Sequence, residues 1–508
     1  MHMKRRLARA MGVAAAMVAT AAGAQQTRVT IDTGALQGAR SGDTIVFKGI
    51  PYAAPPVGAM RWRPPALPAE WQGTRDATRY GAACPQGPEH KEPWAQVGAM
   101  SEDCLFLNVW RPARAGRYPV MVFIHGGGFT YGAAGVPLYN GAALAARGAV
   151  IVTINYRLGR LGFFAHPALT KESPDGQLGN YAIMDQVAAL HWVRRNVATF
   201  GGDPANVTLF GESAGAGSVH ILMGSPVAKG LFQKAISESG AGGSALFPIR
   251  GGALNAEAIG QLWAKSVGLD DATAAQLRAV PLADVVRNGR AFPFIDGKVV
   301  AHSPGEPFYR DAAMRIPLII GGNSNESSLG GMTEAAAKAL LGKDFDSLRE
   351  GYVAMTGKPV AAATIDLAED AGFVMPSFAL ADRHAAAGNP AYVYEFDQVP
   401  VDQRAGAAGT DHGGELEYVF GTRPVEHRWD ARDATVSKMM GDYWVRFART
   451  GDPNGRGTPR WPRVTDLPTA YLAIGSVSEA RRLVPVREQA KAAAMADARR
   501  KWAAMPQP

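Results

Sequence analysis

The sequence is poor in cysteine and has no long apolar run. Only Cys84 and Cys104 are cysteines among its 508 residues, and neither their number nor their spacing suits a metal site. No segment approaches the roughly 20 apolar residues that a membrane-spanning helix needs. No repeat or low-complexity tract divides the chain. The sequence therefore predicts a protein without a cysteine-based metal site, a membrane bundle or a repeat array.

An excess of charge of one sign is also lacking. The net charge is +8, but Lys4, Arg5, Arg6 and Arg9 carry four of these charges, and +4 is left for the rest of the chain. So small an excess argues against a nucleic-acid-binding surface. With 47% hydrophobic and 19% charged residues, the chain is predicted to fold around a large core rather than to be disordered.

Residues 1–24 have the pattern of a secretory signal peptide. Basic residues precede an apolar stretch from Met11 to Ala22, and small residues follow, with a cleavage site near Ala24/Gln25. The apolar stretch, of about a dozen residues, is too short to cross a membrane. We therefore predict export to a secreted or periplasmic location, and no membrane span in the mature protein.

In an exported protein, an isolated pair of cysteines favours a disulfide. A bond between Cys84 and Cys104 would close a loop of about 20 residues. Two buried free thiols are the alternative. The residues by themselves leave both possibilities open.

Short apolar runs rich in β-branched residues alternate with helical patterns over residues 25–508. Such alternation is typical of a mostly parallel sheet with helices on both faces. The runs predicted as buried strands are Tyr118–Ile124, Ala149–Ile154, Val207–Phe210 and Ile316–Ile320. The predicted helices are Tyr181–Phe200 and Ser213–Gly224, with Ala-rich helical stretches at 250–315 and 330–390 that cover the C-terminal edge of the sheet. We expect one α/β domain.

The segment Gly211-Glu212-Ser213-Ala214-Gly215 matches the G-x-S-x-G pattern of a nucleophile elbow. A predicted strand precedes it and a predicted helix follows, which is the setting that the motif requires. The sharp turn holds the serine in a strained conformation, so the residues two positions away on each side must be small. Ser213 is therefore the candidate nucleophile.

A glycine-rich segment, HGGGF at residues 125–129, follows the predicted strand that ends at Ile124. Main-chain N–H groups in such a turn can bind a developing oxyanion with no side chain in the way. The alternatives are a flexible turn and a phosphate-binding loop, but no Lys-Ser/Thr pair follows and the G-x-G-x-x-G spacing is absent. The segment thus predicts an oxyanion hole like that of lipases and esterases.

Five segments along the chain resemble the type-B carboxylesterase and cholinesterase family. They are FKGIPYAAPPVGAMRWRPP from Phe47, SEDCLFLNVW from Ser101, NYRLG from Asn155, FGGDPANVTLFGESAGA from Phe200 and GDPNG from Gly451. The resemblance spans nearly all of residues 25–508 and implies the α/β-hydrolase fold in a single catalytic domain. The family's cysteine pair matches Cys84 and Cys104, so the resemblance also implies the disulfide.

The resemblance implies a catalytic triad in the order serine, acid, histidine. Glu326 follows the strand IPLII in the loop position that the family uses for its acid. Of the histidines after Ser213, only His412 lies in a segment, GTDHGGELEYVFG, that resembles the family's histidine loop; His220 is expected to pack against its neighbours. Ser239 matches a family serine that hydrogen-bonds near the acid, although an ordinary serine at a strand end is the alternative.

These matches imply a serine ester hydrolase that forms an acyl-enzyme. The histidine takes the serine proton as the oxygen attacks the ester carbonyl, and the glutamate holds the imidazole in the required tautomer. The main-chain N–H groups of Gly127, Gly128 and Ala214 are expected to bind the oxyanion. This chemistry needs a small ester and water, but neither a metal nor an organic cofactor.

Four residues are candidates for the substrate pocket. Glu212 precedes the nucleophile and is placed to hold a water or to favour a cationic transition state. Trp94 matches the tryptophan that stacks on the choline ammonium in cholinesterases. Because no aromatic residue closely follows Glu326, the second wall of such a cation site is missing. The alternatives are that the tryptophan packs its loop or lines an apolar alcohol pocket. Phe292 and Phe294 either bound an acyl pocket or belong to the core.

Other readings of the same motifs stay open. A specialised hydrolase of a bulky natural-product or toxin ester, or of an amide or carbamate, would use the same triad, because the pocket loops set specificity. A non-catalytic, cholinesterase-like adhesion protein is a further alternative, but such proteins have lost a triad member. No C-terminal heptad segment favours helix-mediated assembly, so a monomer is expected.

Overall fold

The computed structural model describes residues 27–87, 97–173, 179–287 and 289–504. The predicted signal peptide and Trp94 lie outside these residues. The described strands, β1 to β14, are Arg28–Ile31, Gly34–Gln37, Ala39–Ser41, Thr44–Pro51, Thr74–Asp76, Phe106–Pro112, Tyr118–Ile124, Val150–Ile154, Gly202–Glu212, Lys234–Glu238, Leu318–Asn323, Ala391–Phe396, Ala470–Ile474 and Glu479–Arg482.

The described α-helices are α1 to α16. They are Ala142–Ala146, Gly159–Gly162, Pro167–Thr170, Tyr181–Asn196, Ala214–Met223, Ala256–Ser266, Ala274–Ala279, Leu282–Val286, Glu306–Tyr309, Glu334–Leu341, Phe345–Thr356, Val360–Glu369, Met375–Ala386, Leu416–Phe420, Ala431–Thr450 and Pro485–Ala504. No helix within the described ranges is long and apolar enough to cross a membrane.

Eleven of the described strands form one large sheet, in the order β14-β13-β12-β11-β10-β9-β7-β8-β6-β4-β3. From β13 to β8, each strand runs parallel to its neighbour. Antiparallel pairs complete the sheet at both edges. A small separate sheet has the order β1-β2-β5. The prediction of a mostly parallel sheet is confirmed.

Alternate residues of β7 point to opposite faces of the large sheet and enter two different hydrophobic clusters. Val120, Val122 and Ile124 lie in one cluster, and Met121 and Phe123 lie in the other. Helices α4, α5, α13 and α16 contribute to the first cluster, whereas α1, α14 and α15 contribute to the second. Each such side chain, when fully buried, contributes roughly 1.5–3 kcal/mol to folding. The central strands are therefore apolar on both sides because helices cover both faces.

The four predicted strands are present with small changes in their bounds. β7 has the predicted bounds, β8 begins one residue later, and β9 is longer than predicted. β11 begins at Leu318 rather than Ile316, because Pro317 has no N–H to donate to a neighbouring strand. Helix α4 ends at Asn196, and a 3₁₀ turn over Val197–Phe200 completes the predicted helical span.

The two predicted Ala-rich stretches are helical excursions from the sheet. The first, α6 to α9, lies between β10 and β11, and the second, α10 to α13, lies between β11 and β12. A π turn over Asp370–Val374 joins α12 to α13. The predicted disulfide between Cys84 and Cys104 is also present, and both cysteines are buried.

Candidate active site

Ser213 lies in the turn between β9 and α5, with φ of 55° and ψ of −119°. Residues other than glycine rarely adopt a positive φ. A Cβ atom added to Gly215 would lie 2.0 Å from the Ile124 carbonyl oxygen, and one added to Gly211 would lie 2.6 Å from the Gly215 carbonyl carbon. Main-chain contacts therefore require both glycines of the motif. Ala214 begins α5, so its N–H has no acceptor within the helix.

The glycine turn after β7 lies against the serine. A Cβ atom on Gly126 would lie 3.1 Å from Ser213 Cβ. Gly127 and Gly128 have φ angles of 95° and 56°, and a Cβ atom on Gly127 would lie 2.1 Å from the Tyr131 carbonyl oxygen. No described residue accepts a hydrogen bond from the N–H of Gly127 or Gly128. The turn thus provides unused main-chain donors close to Ser213.

Glu326 follows β11 and is fully buried. Its Oε1 accepts hydrogen bonds from Ser239 Oγ at 2.5 Å and from the Asn323 N–H at 2.8 Å. Its Oε2 is hydrogen-bonded to Nδ1 of His412. Its own main-chain N–H donates to Glu369 Oε1 at 2.6 Å. Both carboxylate oxygens therefore have partners, and the hydrogen bond of Ser239, foreseen from the family resemblance, is present.

His412 lies in the loop between β12 and α14. Its main-chain N–H donates to Ser328 Oγ at 2.9 Å, and its ring meets the ring of Phe373 edge-on, with centroids 5.5 Å apart. Nδ1 faces Glu326, whereas Nε2 lies 3.1 Å from Glu212 Oε1. The imidazole thus lies between two carboxyl groups, and its hydrogen bond within the described residues is to Glu326.

These carboxyl groups control the protonation of His412. Burial lowers its pKa, but the charges of Glu326 and Glu212 outweigh burial and raise the pKa to about 9. Burial raises the pKa of Glu212 to about 7, against the opposing effect of His412. The two carboxylate charges therefore favour the protonated imidazole. Nε2 must lose that proton before it can accept one from a serine hydroxyl.

A cleft of about 540 Å³ brings several predicted residues together. Ser213, His412, Glu212 and Gly127 all line it. Its wider walls include aromatic, apolar and acidic side chains, namely Tyr131, Leu138, Tyr139, Asp411, Leu416, Glu417 and Glu426. Among the described residues, no group of three or more His, Cys, Asp or Glu side chains is arranged to hold a metal ion.

Other predicted residues lie away from this cleft. Phe292 is 47% exposed, and Phe294 is buried and stacked on Phe247; neither lines the cleft. His220 is fully buried and hydrogen-bonded to Ser237 Oγ at 2.8 Å, in keeping with the packing role expected for it.

Sequence reasoning missed three side chains near Glu326 and His412. Glu415 is fully buried, and burial raises its pKa to about 8; its position three residues after His412 was the available signal. Glu369 and Phe373 contact Glu326 and His412 from an Ala-rich helical stretch. Nothing in the local sequence marks either residue.

Comparisons with known proteins agree with this architecture. The Carboxylesterase family model matches residues 25–495. Fumonisin B1 esterase of Sphingopyxis macrogoltabida is 38% identical over 458 residues, which cover 85% of this chain and 83% of that protein. Carboxylesterase 1D of Rattus norvegicus is 35% identical over 509 residues, with 88% of each chain covered. A solved PNB esterase structure matches with a TM-score of 0.78 at 30% identity, over 94% of this chain and 99% of that one. This chain therefore belongs to the carboxylesterase family and has the α/β-hydrolase fold.

Proposed function

We propose that this protein hydrolyses carboxylic esters through an acyl-enzyme on Ser213. The observation that carries the proposal is that the strained Ser213 and His412 line one cleft, and that His412 is hydrogen-bonded to the buried Glu326. Membership of the carboxylesterase family supports the same reaction class.

In the proposed first step, Ser213 Oγ attacks the ester carbonyl carbon while Nε2 of neutral His412 takes its proton. The carbonyl oxygen becomes an oxyanion, and Glu326 stabilises the imidazolium through Nδ1. When the intermediate collapses, the imidazolium protonates the leaving alkoxide and the acyl group stays on the serine. Water then attacks the acyl carbon by the same proton transfers, which release the acid and regenerate the hydroxyl.

The oxyanion is proposed to bind the main-chain N–H groups of Gly127, Gly128 and Ala214. The unused donors of the glycine turn and the first N–H of α5 support this assignment. Each donor in such a site typically contributes about 100- to 1,000-fold in kcat.

Glu212 is proposed to act on His412 from the side opposite Glu326. Its Oε1 lies 3.1 Å from Nε2, so the negative charge of its carboxylate stabilises the imidazolium. Since only a neutral imidazole can accept the serine proton, we infer that this charge also raises the pH at which His412 becomes an active base.

The charges in the cleft favour neutral esters over anionic ones. Its described lining includes Glu212, Asp411, Glu417 and Glu426 but no Lys or Arg. A carboxylate on the substrate would therefore be repelled. The test compares two esters of one diacid, in which the second carboxyl group is either methylated or free. We expect a lower kcat/KM for the substrate with the free carboxylate. Part of this loss should be recovered at high salt, where charges are screened.

Hydrolysis of a bulky natural-product ester is the second candidate. The similarity to a fumonisin B1 esterase supports it. Parallel assays of fumonisin B1 and a small p-nitrophenyl ester would separate the two: a kcat/KM that favours fumonisin B1 would support the specialised enzyme. Amide and carbamate analogues belong in the same panel.

The proposed mechanism is tested by Ser213→Ala. Labelling by a fluorophosphonate should disappear, and kcat should fall by on the order of 10⁴ to 10⁶. Ser437→Ala is the matched control, because Ser437 is also buried but hydrogen-bonds to the Tyr418 carbonyl. Persistent labelling of a folded Ser213→Ala variant would contradict the proposal.

We further propose that the protein is secreted or periplasmic and monomeric. The disulfide supports an oxidising compartment. Mass spectrometry of the mature protein should give an N-terminus near Gln25, and light scattering should give the mass of one chain. An intact Met1 or a dimeric mass would contradict these proposals.

A further inference from the structure

One helical turn touches both the predicted acid and the predicted base. Glu369, the last residue of α12, accepts the Glu326 N–H at 2.6 Å. Phe373, four residues later, places its ring edge-on to the His412 ring, with centroids 5.5 Å apart. Side chains four residues apart project from the same side of a helix. We call residues 369–373 the clamp.

The clamp has an unusual backbone. The chain is helical from Val360 to Ala386, but it widens into a π turn over Asp370–Val374. Pro376 lies just after this turn and has no N–H to bond back along the helix. A π turn relieves the conflict between this proline and the hydrogen bonds of the helix. Single π turns are rare in proteins overall, but those that occur often lie at functional sites.

The clamp is anchored by contacts of Asp370. Asp370 accepts hydrogen bonds from Arg487 Nε and Nη2, each at 2.7 Å, and from Tyr352 Oη at 2.5 Å. Arg487 belongs to α16 and also donates to Glu395 at 2.9 Å. Because bidentate guanidinium–carboxylate pairs fix geometry, Asp370 holds its neighbour Glu369 in place.

The position of the Glu326 carboxylate depends on its main chain. Both of its oxygens already have hydrogen-bond partners, so a shift of the backbone would weaken the contact with His412. Within the described residues, Glu369 is the acceptor of the Glu326 N–H. Leaving a buried N–H without an acceptor is costly.

From these contacts we propose that Glu369 is a positioning residue: it fixes the main chain of Glu326, which in turn orients His412 through its carboxylate. This inference rests on the proposed function, because it takes Glu326 and His412 as the acid–base pair. Burial raises the pKa of Glu369 to about 8, so this carboxyl is mostly neutral at pH 7. Glutamine is therefore a close substitute, with an amide oxygen that can accept the same hydrogen bond.

The test compares Glu369→Ala, Glu369→Asp and Glu369→Gln in assays of a p-nitrophenyl ester. The alanine variant should lose about tenfold in kcat with little change in KM, because a buried donor loses its acceptor. The aspartate variant keeps the carboxyl group, but its side chain is one methylene shorter, so the acceptor oxygen lies farther from the Glu326 N–H. It should show a smaller loss of kcat, and it provides the test if the alanine variant does not fold. The glutamine variant should regain most of the wild-type kcat.

Glu306→Ala is the matched control. Glu306 is a buried carboxylate in the other excursion, and it accepts the Ser303 N–H at 3.1 Å. Its loss should lower the melting temperature and leave kcat unchanged. Wild-type kcat in Glu369→Ala, equal losses in the alanine and glutamine variants, or a loss confined to KM would each overturn the inference. Ser213→Ala in the same assay separates the two proposals: if that variant stays active, the proposed function itself fails.

Discussion

The two halves of the candidate site are held by different kinds of contact. Around Ser213, the main chain sets the geometry, since a Cβ atom at Gly215 or Gly127 would collide with a carbonyl oxygen. Around His412, side chains set it, and they come from remote segments: Glu326 lies 86 residues away along the chain. Substitutions on the nucleophile side should therefore act by collision, whereas those on the acid–base side should act by changing charge.

Among the variants that test this comparison, the largest effect is expected from removal of the charge of Glu326. Glu326→Gln should lower kcat by about 10⁴, as loss of the orienting carboxylate does in serine hydrolases of this type. The protein should stay folded, because the side chain keeps its size. Single-turnover kinetics and circular dichroism check both points. A loss smaller than tenfold would mean that side-chain charge does not control this half of the site.

The next largest effect is expected from a Cβ atom that collides with the main chain in the glycine turn near Ser213. Two neighbouring glycines of this turn provide the test and its control. Gly127→Ala would place Cβ 2.1 Å from the Tyr131 carbonyl oxygen, whereas Gly128→Ala would place it 3.9 Å from its nearest neighbour, Thr130 Oγ1. We expect Gly127→Ala to lower kcat by about 100-fold, the value of one oxyanion donor. Gly128→Ala, which is strained only by its positive φ, should lower it much less. Equal losses in the two variants would contradict the collision argument.

A smaller effect is expected in the pH dependence. The Glu212 carboxylate helps to raise the pKa of His412 to about 9, and only the neutral imidazole accepts the serine proton. Glu212→Gln should therefore lower that pKa and move the acidic limb of kcat/KM to lower pH, by about one unit. Glu417→Gln is the control, because Glu417 also lines the cleft but pairs with His427. A shift to higher pH would reverse the assigned charge effect.

The smallest effect on catalysis is expected from the disulfide, which belongs to neither half of the site. Replacing Cys84 and Cys104 together by serine should lower the free energy of unfolding by about 3 kcal/mol, since the bond spans 20 residues. Denaturant unfolding measures this change, and kcat for a small ester should be nearly unaffected. A large fall in kcat with unchanged stability would assign the bond to the site instead.

The difference between main-chain contacts around Ser213 and side-chain contacts around His412 also explains which parts of the site the sequence could predict. The elbow at Ser213 and the glycine turn were found because their geometry depends on glycines a few residues apart. Glu326 and His412 were predicted through the family resemblance rather than through any local rule. That the glycine turn and the serine lie side by side depends on the strand order, in which β7 pairs with β9, and no short motif encodes that order.

Packing between distant segments was beyond sequence reasoning. Glu369 and Phe373 are ordinary residues of an Ala-rich helix, and their contacts with Glu326 and His412 accompany the π turn and the anchor at Asp370. The pocket candidates show the same difficulty. Aromatic type alone did not reveal that Phe292 would be largely exposed or that Phe294 would stack in a small core. Trp94 stays a prediction.

The positive φ of Ser213 has a consequence for evolution as well as for chemistry. Glycine adopts this conformation freely, whereas a side chain makes it cost about 1–2 kcal/mol. Ser213→Gly should therefore be inactive yet unfold at a higher temperature than the wild type. Selection for stability alone would therefore favour glycine at this position.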